Sequence, residues 1–156
     1  MNDRNWTAYH EAGHAVIAYI LGLMPKSVTA KEDHDSAGHC TIPDMWEVAA
    51  AWERNGKWRD PLPIVRCRIL SYMAGRETEV EILGGCQGLD GDDLYQIALM
   101  SDELPAFDLH QARMRDQCRT LVRRYKSSIE RVAVALLTSQ ALDGGEIAAL
   151  VNKGQY

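Results

Sequence analysis

The chain has 156 residues, with 17 Lys and Arg against 22 Asp and Glu for a formal net charge of −5, and 46% of its residues are hydrophobic. This is globular composition, long enough to bury a core, while an acidic balance lacks the basic field that grips a phosphate backbone and argues against nucleic-acid partners. The longest nearly apolar run, residues 15–24, is about half of the roughly 20 residues that a membrane helix needs, so no membrane partner is expected either.

The first residues, MNDRNW, are polar and carry no secretory pattern, and the four cysteines (Cys40, Cys67, Cys86, Cys118) form no CxxC pair. Both features fit a reducing compartment, so the expected location is cytoplasmic and the cysteines are expected to be buried thiols. Residues 6–21 read as a helix, with Asn5 or Thr7 as its cap, Ala12, Ala15, Val16 and Ile20 as its apolar face, and Gly22 as its stop. Residues 27–30 and 39–43 lean toward strand. The polar stretch KEDHDSAG lies between them, which predicts a hairpin. A helix over 44–54 precedes a breaker cluster at 55–63. A longer helix over 64–83 follows, then a loop punctuated by Gly84, Gly85, Gly88 and Gly91. Asp92 or Asp93 is expected to cap a helix over 94–104, where acidic residues suit the positive end of the dipole. A helical hairpin over 109–140 and a short helix over 145–151 close the chain. The pattern is mostly α (α+β), with a small β-hairpin or sheet, and with no linker it reads as one domain, 1–156.

The sharpest signal is His10-Glu11-Ala12-Gly13-His14. Residues four apart on a helix lie about 40° apart around its axis, so both imidazoles reach one ion from a single face. Two neutral His nitrogens can hold zinc, the metal lowers the pKa of its water toward about 7, and Glu11 is placed to take that proton and return it to a leaving amine. A catalytic zinc wants a third protein ligand. The metzincin pattern would need Gly and His three and six residues after His14, where Ile17 and Ile20 stand, so that pattern is excluded. Candidates farther along are Glu32, Asp33, His34, His39, Glu77, Glu79, Asp90, Asp92, Asp93 and His110. A carboxylate at a helix start beside a glycine loop is rigidly positioned, which points to Asp92 or Asp93.

Three segments together resemble the peptidase domain of the FtsH-type ATP-dependent zinc metalloproteases: HEAGHAV at 10–16, AGRETEVEILGG at 74–85 and GDDLYQIA at 91–98. A fourth, ALLTSQALDGGEIAALV at 135–151, is similar to the family's closing helices. The resemblance implies a helical zincin-like fold, zinc on His10, His14 and Asp93, and Glu11 as catalytic base. It places Glu79 behind a ligand, orienting a histidine, and Arg76 in a structural ion pair. The segment His39, Cys40, Thr41 matches the strand along which substrate backbone lies in that family. Thr78, Val80 and Leu99 depart from the family pattern without removing a ligand or the base, and residues 101–111 are shorter than the family's segment beside the active site. The sequence contains no Gly-x-x-x-x-Gly-Lys-[Ser/Thr] loop, so ATP use is not expected, and the length has no room for the family's motor or membrane anchor.

The function expected from these residues is zinc-dependent hydrolysis of peptide bonds in peptides or unfolded segments, with a separate unfoldase as a possible partner and the oligomeric state open. Two other classes compete: a non-proteolytic zinc-binding interaction module, and a zinc hydrolase of small amides. Trp46, Trp52 and Trp58 crowd one segment and suggest core or lid packing that roofs the cleft. The basic run Arg113, Arg115, Arg119, Arg123, Arg124 and Lys126 reads as a solvated face paired with the protein's excess acid. His34, His39 and Cys40 form a weaker metal pattern, read as exposed loop residues.

Overall fold

The computed structural model describes residues 3–31, 38–56, 61–88 and 90–153. They form a mostly helical protein with one small antiparallel sheet. The elements are α1 (Asp3–Ile20), β1 (Ser27–Thr29), β2 (His39–Thr41), α2 (Met45–Arg54), α3 (Pro61–Thr78) and a π-helical turn (Glu79–Leu83). They continue with α4 (Gly91–Ser101), α5 (Phe107–Arg124), α6 (Lys126–Ser139), β3 (Ala141–Asp143) and α7 (Gly144–Asn152). No helix among the described residues is long and apolar enough to cross a membrane.

Helix α1 is the axis of the molecule. Ala8, Ala12, Ala15, Val16, Ile17 and Ala18 are wholly buried, because α3 packs on one flank and α6 on another while the sheet closes over it. Its small residues permit this. A Cβ on Gly13 would collide with the Thr78 side chain and lie 2.8 Å from the Ala74 carbonyl oxygen, so α3 crosses α1 at backbone contact. Met114, Cys118 and Val122 of α5 and Ile129, Val132, Ala133 and Leu136 of α6 complete the same core. A smaller apolar cluster of Ala18, Leu23, Val48 and Ile64 seats α2 at the far end of α1.

The expected hairpin is present, with Ser27 opposite Thr41 and Thr29 opposite His39. A third strand, absent from the sequence reading, pairs β1 on its other side, with Val28 opposite Leu142. The order β2-β1-β3 leaves the outer edge of β2 without a strand partner among the described residues.

Several boundaries differ from the sequence expectations. Helix α1 begins at Asp3, and Thr7, expected as a cap, lies inside it with its hydroxyl donating to the Asp3 carbonyl at 3.1 Å. Pro61 and Pro63, read as breakers, start α3, since a first helical turn has no use for the missing N–H. The helix expected over 64–83 changes to π geometry at Glu79 and stops at Gly84, whose φ of 81° ends it in the left-handed region. Asp44, expected as the first residue of the helix over 44–54, lies just before α2 and caps it, accepting from the Trp46 and Glu47 amides at 2.9 Å each. Helix α4 starts at Gly91, so Asp92 and Asp93 lie in its first turn and neither is the cap. The last long helical stretch breaks at Tyr125. Asp143 caps α7 in a reciprocal pair with Glu146.

Of the cysteines, Cys118 is buried, Cys40 and Cys67 are half-buried, and Cys86 is exposed, so the expectation of buried thiols fails at Cys86. Trp52 donates its indole N–H to the Gly22 carbonyl at 2.8 Å. Gly22 lies eight residues beyond His14, about 12 Å along a helix axis, so Trp52 packs the far end of α1 and does not roof the histidines. Trp46 is 73% exposed, and Trp58 lies outside the described residues.

Candidate metal centre

The site forms where the middle of α1 meets α3 and the first turn of α4. The four-residue spacing puts His10 and His14 on one face, with Nε2 atoms 3.1 Å apart. Asp93 turns its carboxylate inward from α4. Its Oδ2 lies 2.9 Å from His10 Nε2 and 3.1 Å from His14 Nε2. Asp92 is exposed, so of the two neighbouring acids only Asp93 joins the histidines.

The outer nitrogens of the two rings are held differently. His14 Nδ1 lies 2.6 Å from the Ser71 carbonyl oxygen. A carbonyl only accepts, so Nδ1 carries hydrogen and the Nε2 lone pair is free to face the site. His10 Nδ1 is 3.6 Å from Glu79 Oε1. Both atoms are buried without a hydrogen-bond partner among the described residues. Glu79 is wholly buried, and its Oε2 accepts from the Gln87 amide at 3.4 Å. The π turn carries this carboxylate to the back of His10.

Glu11 points the same way from α1. A carboxylate oxygen of Glu11 and nitrogens of His10 and His14 all lie within 4.8 Å of one another. Its Oε2 is buried with no hydrogen-bond partner among the described residues. Burial raises the pKa of Glu11 and outweighs the downward pull of His14 and His10. Burial works against the charged form of His10, but its contacts with Asp93 and Glu79 push its pKa up to about 10. His14 is raised too: its burial is opposed and outweighed by Asp93. Burial likewise opposes the charge on Asp93, yet His14 and His10 hold that carboxyl below the usual range.

This donor set fits a metal ion. Three lone-pair atoms converge, and only a cation, whether proton or metal, relieves their mutual repulsion. Ligand atoms about 2.0–2.1 Å from a tetrahedral zinc stand about 3.3 Å from each other, a few tenths of an ångström wider than these three. The fold also keeps the space clear. A Cβ on Gly75 would lie 2.5 Å from His10 Nε2 and 2.6 Å from His14 Nε2, so a side chain there would fill the volume on which the donors converge.

The other candidates lie elsewhere. Glu32, Asp33 and His34 fall outside the described residues. His110 is exposed on α5, and His39 is exposed on β2. Glu77 is buried against Arg115 and Arg119, at 3.2 and 2.9 Å. Asp90 is buried with Arg76 3.9 Å away, the contact in which Arg76 takes part. The basic run on α5 is therefore partly paired as expected, with Arg123 also holding Glu81 at 2.8 Å. Cys40 and Thr41 are half-buried on β2. Burial raises the Cys40 thiol, and the Glu11 and Asp93 carboxylates add to the rise, which puts this strand alongside the site. Gly75, Ser71 and Tyr72 escaped the sequence reading as site residues. Gly75 had a visible signal in AGRE at 74–77, whereas Ser71 acts through a backbone carbonyl, which any residue type would supply.

Searched against protein-family models and against curated proteins, the chain matches neither.

Proposed function

We propose that this protein is a zinc metallopeptidase, of the kind its motifs resemble, that hydrolyses peptide bonds in peptides or unfolded segments. The observation that carries the reading is the convergence of His10 Nε2, His14 Nε2 and Asp93 Oδ2 within 3.1 Å, with the buried Glu11 carboxylate beside them, its Oε2 without a partner among the described residues. A zinc ion held there supplies Lewis acidity, polarising a carbonyl and acidifying water.

The chain's own residues do the rest. His10, His14 and Asp93 hold the ion, and the Ser71 carbonyl fixes the orientation of His14. Glu79 faces His10 Nδ1 and keeps its hydrogen on the outer nitrogen, so the inner nitrogen stays a ligand. Glu11 takes a proton from the attacking water and delivers it to the nitrogen of the breaking C–N bond. Burial has already raised its proton affinity for that exchange. The outer edge of β2, at His39, Cys40 and Thr41, has no strand partner among the described residues and offers backbone groups to an extended substrate. An open strand edge suits a peptide better than a small amide.

The test is metal analysis joined to digestion of a peptide library by the wild type and Glu11→Gln. Stoichiometric zinc in both proteins, with cleavage only by the wild type, is the expected result. Bound zinc with no cleavage by either would replace the peptidase with a zinc-binding interaction module. Cleavage restricted to small amides would indicate the third class.

A further inference from the structure

Strand β2 is fastened to the candidate site at both ends. Its entry lies against the base: a Cβ on Gly38 would stand 3.0 Å from Glu11 Cγ, 3.0 Å from Thr7 Cγ2 and 2.7 Å from the Thr29 carbonyl oxygen. Only a residue without a side chain lets the strand start this close to Glu11. Its exit is held from α3. Pro43 is buried just beyond β2, and Arg68 Nη1 donates to its carbonyl at 2.7 Å.

Arg68 belongs to the turn of α3 that also holds His14. The Ser71 hydroxyl donates to the Arg68 carbonyl at 2.8 Å, and the Ser71 carbonyl accepts from His14 Nδ1 at 2.6 Å. Tyr72, next in the chain, meets the His14 ring edge-on with centroids 6.3 Å apart. Three hydrogen bonds in series therefore join the end of β2 to a donor of the metal centre. Among the described residues Arg68 has no ion pair, unlike Arg115, Arg119 and Arg123 on α5. Its charge is spent on a backbone carbonyl, which makes placement of the chain at Pro43 its visible role.

We propose that Arg68 is a positioning residue for the substrate strand. By holding the Pro43 carbonyl it keeps the outer edge of β2 in register with His14, so that an extended peptide paired to that edge is aligned with the donor triad and Glu11. The proposal rests on the peptidase reading above. Hydrogen bonds weaken steeply when donor and acceptor are misaligned, so a loosened edge pairs poorly. Edge contacts are made in the ground state and the transition state alike, and their loss therefore raises KM more than it lowers kcat.

Arg68→Met, which keeps an aliphatic stem and loses the donors, tests the assignment. Zinc content should be unchanged, KM for a peptide of about seven residues should rise about 10-fold, and kcat should stay within about twofold of the wild type. A second measurement needs no turnover. Zinc-loaded Glu11→Gln protein, with and without Arg68→Met, is titrated calorimetrically with that peptide and with a version N-methylated at alternate backbone amides, which cannot donate along a strand edge. With Arg68 in place the parent peptide should bind about 10-fold more tightly than the methylated one, and Arg68→Met should reduce that advantage to about twofold. If Arg68→Met does not fold, Arg68→Gln, a shorter polar side chain, is read in the same way. Unchanged KM, a kcat loss as large as the KM rise, loss of zinc, or an advantage that is absent with Arg68 or undiminished without it would overturn the assignment. A wild type that binds zinc but cleaves nothing would sink the peptidase reading separately, and the two binding ratios alone would then uphold or overturn Arg68.

Discussion

Glu77 and Glu79 lie two residues apart at the junction of α3 and the π turn, and both are buried, at 3% and 0% exposure. Glu77 faces α5, where Arg115 and Arg119 reach its two oxygens at 3.2 and 2.9 Å. Glu79 faces α1, where its Oε1 lies 3.6 Å from His10 Nδ1 and has no hydrogen bond among the described residues. Glu11, across the crossing, also keeps an unpartnered oxygen. On the α5 side, buried acid is matched by the chain's own cations. On the α1 side it is left facing imidazoles, at a standing cost in desolvation. A buried carboxylate faced by an imidazole, whose charge comes and goes with a proton, points toward that proton or a bound metal as its counter-charge.

That contrast can be broken at each acid, starting with the largest expected effect. Glu11→Gln should lower kcat by about 10³-fold with zinc retained, while Glu77→Gln leaves kcat within about twofold; peptide cleavage with parallel metal analysis reads both. Equal losses would dissolve the distinction between the two sides. Glu77→Ala should instead destabilise the fold by about 2 kcal/mol in urea unfolding, less than for a fully enclosed pair, because Arg115 and Arg119 both reach solvent. Glu79→Gln should weaken zinc about 10-fold in a competition titration, since a neutral amide supports His10 less well, with little change in unfolding midpoint.

The smallest effect is on pH dependence. In metal-free protein, His10 is buried but carries its proton up to about 10 because Asp93 and Glu79 face it. The ordinary histidine value is 6.5, so this group stabilises the fold most fully below that pH. Its contribution then falls as pH rises through about 10. Melting temperature of the metal-free protein should therefore decline across this window, and Asp93→Asn should flatten the decline. Zinc competes with the same proton, so its affinity should climb over the same range.

Much of the site was legible because its code is local. His10, Glu11 and His14 depend only on helical spacing, and most helices announced themselves by periodicity. Residue pattern alone left Asp92 and Asp93 as alternatives, and the family resemblance pointed to Asp93; pattern could not separate them, since which of two adjacent acids faces α1 depends on how α4 docks. The start of α3 was misplaced because prolines read as breakers also begin helices. Strand β3 was missed because three residues carry too little periodicity, and its pairing with β1 spans more than a hundred residues.

By itself, then, the sequence determined a mostly helical chain with two imidazoles and a carboxylate on one helical turn, because i to i+4 geometry is set within a single element. The tertiary structure alone decided the rest. It turned Asp93 inward, set Glu79 behind His10, brought the Ser71 carbonyl to His14 and kept the Gly75 position clear. Each of these depends on backbone contact between α1 and α3 or on the docking of α4, and packing between elements distant in the chain leaves no periodicity to read.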